Sequence, residues 1–163
     1  MNIKRIFKNP GFVLAAPIAL GMASGAAAED VDFSGTVGTG CTLAVSNNGT
    51  LALSTDGQTL GPEETGGTPA VITVLSLGAN TLTVNAPSVI TSPVGYDNSG
   101  ETVQVAYVGA SGLSAVNQAY TDQTTNQALS VIPLSALTIN ARIQNAASFA
   151  GGAYTVRTVV TCS

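Results

Sequence analysis

After residue 30, apolar and polar residues alternate in short runs separated by Gly, Pro, Asn and Asp. A period of two is the signature of strands with one buried face. Val31, Phe33, Gly35 and Val37 share one face of a first strand, and Cys41, Leu43 and Val45 share one face of a second, with Asn47-Asn48-Gly49 turning the chain after it. Leu51 and Leu53 alternate next, Asp56-Gly57 turns, and a Gly/Pro/Glu loop from Gly61 to Pro69 leads into the apolar run Ala70 to Leu77. Gly78-Ala79-Asn80 reads as a hairpin into Leu82, Val84 and Ala86. Pro87 and Pro93 then bound a short apolar stretch, and Asp97 to Gly100 turns into Val103, Val105 and Tyr107.

The stretch from Gly109 to Gln127 is the least strand-like. Leu113, Val116 and Tyr120 fall at helical spacing there, so a long loop with a short helix is expected. Beyond Pro133, Leu137, Ile139, Ala141 and Ile143 alternate with Thr138, Asn140, Arg142 and Gln144, a half-buried strand. Ala150-Gly151-Gly152 turns into a last strand with Tyr154, Val156, Thr158 and Val160 on one face. About seven to nine short strands with regular turn signals, and no strand–helix alternation, predict an all-β antiparallel sandwich or barrel.

The first 28 residues follow a different pattern. Three cations precede Pro10, an apolar run from Gly11 to Met22 follows, and Ala26-Ala27-Ala28 supplies small residues at a cleavage point before Glu29. This is the layout of a secretory signal peptide. The apolar run has about 12 residues where a spanning helix needs roughly 20, so membrane insertion after cleavage is not expected. Residues 29–163 then form a single exported domain, soluble in the periplasm or beyond it.

Cleavage changes the charge picture. Lys4, Arg5 and Lys8 lie in the signal, so only Arg142 and Arg157 remain against nine acids, a net of −7 for residues 29–163. No Lys or His survives, which removes the footprint that nucleic acid and anionic lipid need. It also removes the usual general bases, so a Ser or Cys triad is excluded. Glu63-Glu64 is the one adjacent acidic pair, but it sits in a Gly/Pro loop, and no aromatic residue is expected nearby to raise a pKa or stack a sugar. Asp97, Asn98 and Glu101 offer oxygen ligands of the kind a calcium loop uses, although a plain turn explains Asp97 to Gly100 better. No enzyme activity, cofactor or resident metal is expected. Cys41 and Cys162 are the only cysteines, and in an oxidising compartment they are expected to form a disulfide.

Three motifs, in order, resemble a known group. Val31-Asp32-Phe33-Ser34-Gly35-Thr36-Val37 before Cys41 resembles the opening of chaperone–usher pilin subunits. Thr73-Val74 to Pro87 is similar to the strand and following L-T-V segment of the same group. Ala150 to Val159, with Tyr154 and Val156, resembles the ending of spore coat U-like and archaic pilin domains. The resemblance implies an immunoglobulin-like sandwich lacking one strand, held by a periplasmic chaperone, passed to an outer-membrane usher, and completed by an extension of another pilin subunit or a second copy of itself. A missing strand leaves an apolar groove and an unpaired edge, and strand addition satisfies both. Two features depart from the family. The second cysteine lies in the last strand, and only Glu29 and Asp30 precede Val31. Two readings of 29–40 follow: a donor strand whose Val31, Phe33, Gly35 and Val37 enter a groove, or an ordinary first strand of a self-complete sandwich.

The function expected on this reading is a non-enzymatic structural subunit of a bacterial surface filament, pilus or matrix with a part in cell adhesion. The alternative is a monomeric secreted sandwich that binds glycans or another cell-surface partner through its Thr/Asn/Gln-rich loops.

Overall fold

A computed structural model describes residues 40–163 together with Ser34, which is exposed and outside regular structure. The fold lies within the unit 36–163. Its strands are β1 (Gly40–Asn47), β2 (Ala52–Leu53), β3 (Thr59–Gly61), β4 (Ala70–Leu77), β5 (Asn80–Val84), β6 (Ser88–Thr91), β7 (Thr102–Gly109), β8 (Asn117–Thr121), β9 (Thr125–Leu129), β10 (Ile132–Gln144), β11 (Thr155–Arg157) and β12 (Val160–Cys162). A single 3-10 turn, Ser111–Leu113, is the one helical element among the described residues. The fold is all-β, and every strand pairing in it is antiparallel.

β10 organises the first sheet. One of its edges takes β4 over Ile132 to Ile139 and then β3 at Ile143 and Gln144; the other takes β7 over Leu137 to Gln144. β1 lies outside β4, β2 outside β3, and β8 outside β7. The second layer is β12-β5-β9 with the short pair β11-β6. Between the layers, Val74 and Leu137 of the first sheet meet Leu82 and Val84 of the second, with Val105, Tyr107 and Leu113 closing the centre. This is a β-sandwich with one core.

The period-two pattern places most of these elements. β4 alternates buried Ile72, Val74 and Ser76 with less buried neighbours, and β10 buries Leu137, Ile139 and Ile143 while Thr138, Asn140 and Arg142 are more exposed. Three expectations are corrected. Gly78-Ala79-Asn80 makes no hairpin, because β4 pairs with β1 and β10 while β5 pairs with β12 and β9. The turn instead carries the chain from one layer to the other, with Gly78 at φ 105° and the Asn80 amide donating to Ser76 Oγ (2.8 Å) and Gly40 O (3.3 Å).

The segment Gly109 to Gln127 is not a long loop. It holds the 3-10 turn, β8 and the start of β9. Asn-Gln-Ala-Tyr-Thr and Thr-Asn-Gln-Ala-Leu are edge strands whose amides and hydroxyls are largely solvated, so they carry no apolar alternation to read. Finally, the last expected strand is divided at Thr158-Val159 into β11 and β12. Its facing partner is divided at the same level into β6 and β5, around Asn85 to Pro87. Pro87 has no amide hydrogen for a ladder, which accounts for the interruption. Alternation survives the break, since Val156, Thr158, Val160 and Cys162 are all more buried than their neighbours.

Candidate functional site

β1 and β12 are the outer strands of the two layers, and Cys41 and Cys162 join them in a disulfide with Cα atoms 5.8 Å apart. From that bond the two edges run away together, β1 toward Asn47 and the last strand back through Val160 to Thr155. Neither free edge has a ladder partner among the described residues. Between them lies a groove of about 850 Å³.

The groove's walls follow from the strand pattern. Leu43 and Val45 of β1 face Val156 and Val160 of the last strand, and Ile90 of β6 adds to the second wall. Its floor is Ile72 and Ile139 with the small Ala70 and Ala141. Ala141 occupies an inward position of β10 between Ile139 and Ile143, where a larger side chain would fill the space. Val45 is 66% exposed and Ile90 44%, unusual for residues on the inner side of a sandwich. Arg157 is the single charged residue among the described residues lining the groove. Asn48, Gly49 and Thr50 close the end away from the disulfide. Gly49 is required there, since a Cβ would come 2.9 Å from Ala70 N and 3.0 Å from Thr68 O, both fixed backbone.

Among the described residues, the groove's lining is apolar and hydroxyl- or amide-bearing apart from Arg157. It presents apolar side chains and two strand edges that have no ladder partner among the described residues, the two things an extended peptide uses. The expected disulfide is formed. Val31, Phe33, Gly35 and Val37 lie outside the described residues. Chain entry is fixed at Gly40, which pairs with Leu77 at the disulfide end.

Other expected candidates lie apart from the groove. Asp97 Oδ1 accepts from the Ser99 amide (2.9 Å), which holds its carboxyl below the usual range, and Glu101 N donates to Asn98 O (3.1 Å). That is a self-bonded turn, and no group of three or more His, Cys, Asp or Glu side chains converges among the described residues. Glu63 is exposed, and the expectation of no aromatic nearby is corrected, since its charge lies close enough to the Tyr120 phenol to raise it; Glu64 O accepts a turn bond from Gly67 N (2.8 Å). Arg142 donates through Nε and Nη2 to Gln104 Oε1 (3.1 and 2.8 Å) and lies 3.9 Å from the centre of the Tyr120 ring.

Sequence reasoning named the candidate donor side chains and the disulfide but missed Ile90, Ala141, Val156 and Val160 as a shared surface. The signal that would have found them is size: at Ala70 and Ala141 the apolar alternation drops to a small residue on both neighbouring strands. No helix among the described residues is long and apolar enough to cross a membrane. No known family model, curated protein or solved structure matches the chain.

Proposed function

We propose that the protein is a non-enzymatic structural subunit of a bacterial surface filament or matrix, and that it assembles when residues 31–37 of one copy add as a strand to the groove of another. The observation that carries this reading is an apolar groove between two strand edges that have no ladder partner among the described residues, in a chain whose own preceding segment has the matching pattern. Val31 to Val37 spans six residue steps, about 20 Å extended, and Cys41 to Asn47 on the β1 wall spans the same number. Val31, Phe33 and Val37 present apolar side chains at every second position except Gly35. Burying three such side chains contributes about 5–8 kcal/mol before the cost of ordering the strand.

The finer fold reading goes with the function. A first layer ordered β1-β4-β10-β7 and a second ordered β9-β5-β12 would be an immunoglobulin-like sandwich short of the strand beside β12. Export through residues 1–28, an oxidising compartment for the disulfide, and handling by a periplasmic chaperone and outer-membrane usher complete the proposal. The rival is a self-complete monomer whose own 31–37 segment lies in its own groove.

The test is to purify residues 29–163 from a periplasm and run the protein on a denaturing gel with and without boiling. Strand addition between copies is expected to give a ladder that collapses on boiling and is abolished by Phe33→Asp. A single monomer band in both lanes from folded, soluble protein would overturn assembly by this chain alone and favour the self-complete reading.

A further inference from the structure

We propose that successive copies also touch body to body, with Val94 of one copy seated on the apolar patch formed by Leu77, Val131 and Leu134 of the next. The inference rests on the strand-addition reading and concerns a surface outside the groove.

The patch lies at the disulfide end. Ser76 and Ile132 are directly paired and both buried, so the flanking Leu77 and Val131 point to the opposite, solvent side. Leu134 joins them from the irregularity between Ile132 and Ser135. Their exposures are 40, 70 and 69%. Leu77 is also the ladder partner of Gly40, so the patch sits at the root of the segment that would enter a neighbour.

Val94 lies at the other end. β6 finishes at Thr91, opposite Thr155, and the loop beyond it carries Val94 fully exposed on its tip. That tip is braced. Gly152, at φ 150°, lets Pro93 approach so closely that a Cβ would come 2.5 Å from Pro93 Cγ. Tyr96 stacks on Phe149 at 5.8 Å, and Tyr154 meets Tyr96 edge-on at 5.1 Å. An apolar side chain held out on a supported loop is a knob rather than a fraying end.

The length of the connecting chain brings the two together. From Val37 to Gly40 there are three residue steps, at most about 11 Å. A strand that runs antiparallel to β11 and β12 leaves its acceptor at the Val94 end. The root of the incoming copy, with Leu77 beside it, is then held within that reach of the acceptor's tip. Repeated along a filament, this is a head-to-tail contact between different surfaces of the same chain. The opposite strand polarity would bring two disulfide ends together, close a pair, and leave Val94 uncovered.

The experiment introduces Val94→Cys with Leu134→Cys in the exported protein and examines assembled material under oxidising conditions. The expected result is a ladder that survives boiling without reductant and collapses with it, while either single variant gives no such ladder. An unboiled ladder with no covalent one would overturn the body contact and leave strand addition standing. Absence of any unboiled ladder from the unsubstituted protein would overturn both. Should the paired cysteines impair assembly, Val94→Asp decides: the unboiled ladder is retained and the persistence length of filaments by electron microscopy falls several-fold, whereas unchanged stiffness overturns the contact.

Discussion

Among the described residues the sandwich is packed in one half and grooved in the other, and the same sheet serves both. On the β7 side, Tyr107, Leu82, Leu113 and Leu137 fill the space between layers, and the Tyr107 hydroxyl finds Thr125 Oγ1 at 2.6 Å. On the β1 side, the layers diverge from the disulfide over alanine and half-covered valine and isoleucine. Both halves obey the same alternation, so what separates them is side-chain volume and whether an edge has a neighbour. On the proposed reading, the packed half carries the stability and the grooved half the binding.

Removing the disulfide tests this most severely. It closes a loop over a sequence separation of 121 residues, and chain entropy puts its contribution at about 4–5 kcal/mol if the native geometry is unstrained. In a Cys41→Ser, Cys162→Ser protein, urea unfolding should shift by an amount of that order. Hydrogen exchange should speed first in β1, β11 and β12, which the bond ties together, while β4, β7 and β10 keep their protection. Equal loss of protection in both halves would break the comparison, because it would make the open side part of the stable unit.

A paired substitution sharpens it. Leu82 is fully buried in the packed half, and Leu82→Ala should cost about 2–5 kcal/mol of stability. Val156 lines the groove, so Val156→Asp in a Phe33→Asp background, where the groove has no apolar strand to receive, should cost less than about 1 kcal/mol. With residue 33 left as Phe, the same Val156→Asp should abolish the boiling-sensitive ladder, since a carboxylate would face the incoming side chains. The order of severity thus reverses between chemical denaturation and assembly. A large stability loss from Val156→Asp in the unassembled protein would mean that the groove is ordinary core.

The packed half was the more legible in sequence. Val105, Tyr107, Leu137 and Ile143 recur at period two because each is fully or almost fully buried, and the β sandwich follows from them. Less is visible in sequence where positions are left small. A groove is a set of positions that are not filled, and Ala70 and Ala141 look in sequence like unremarkable strand residues. β8 and β9 escaped notice because edge strands with solvated amides carry no hydrophobic period. The turn at Gly78 differs from the expected hairpin because a layer-crossing turn and a hairpin use the same residues, and only pairing distinguishes them. The disulfide needed no geometry, since two cysteines allow one bond.

Tyrosine ionisation gives the smallest effect and reaches both halves. Burial pushes the Tyr96 phenol, beside the groove's far end, up to about 12, with the Glu101 charge adding to it. Burial does the same for Tyr120 on the outer face of the packed half, again to about 12, and the charge of Glu63 adds to it while Arg142 opposes. An acid whose folded-state value is raised favours the neutral form. Its contribution is therefore complete below the ordinary tyrosine value near 10 and is lost as the pH rises from there through about 12. Thermal melts of the unassembled protein across that window should show a decline that Tyr96→Phe and Tyr120→Phe each reduce. Hydrogen exchange assigns the loss: Tyr96 ionisation should loosen the Tyr154 strand and its groove wall, and Tyr120 ionisation the β7–β8 edge. A spectrophotometric titration in which Tyr96→Phe removes a phenol of ordinary value would show the aromatic cluster at that end to be open to water, and the groove's far wall to be softer than its packing implies.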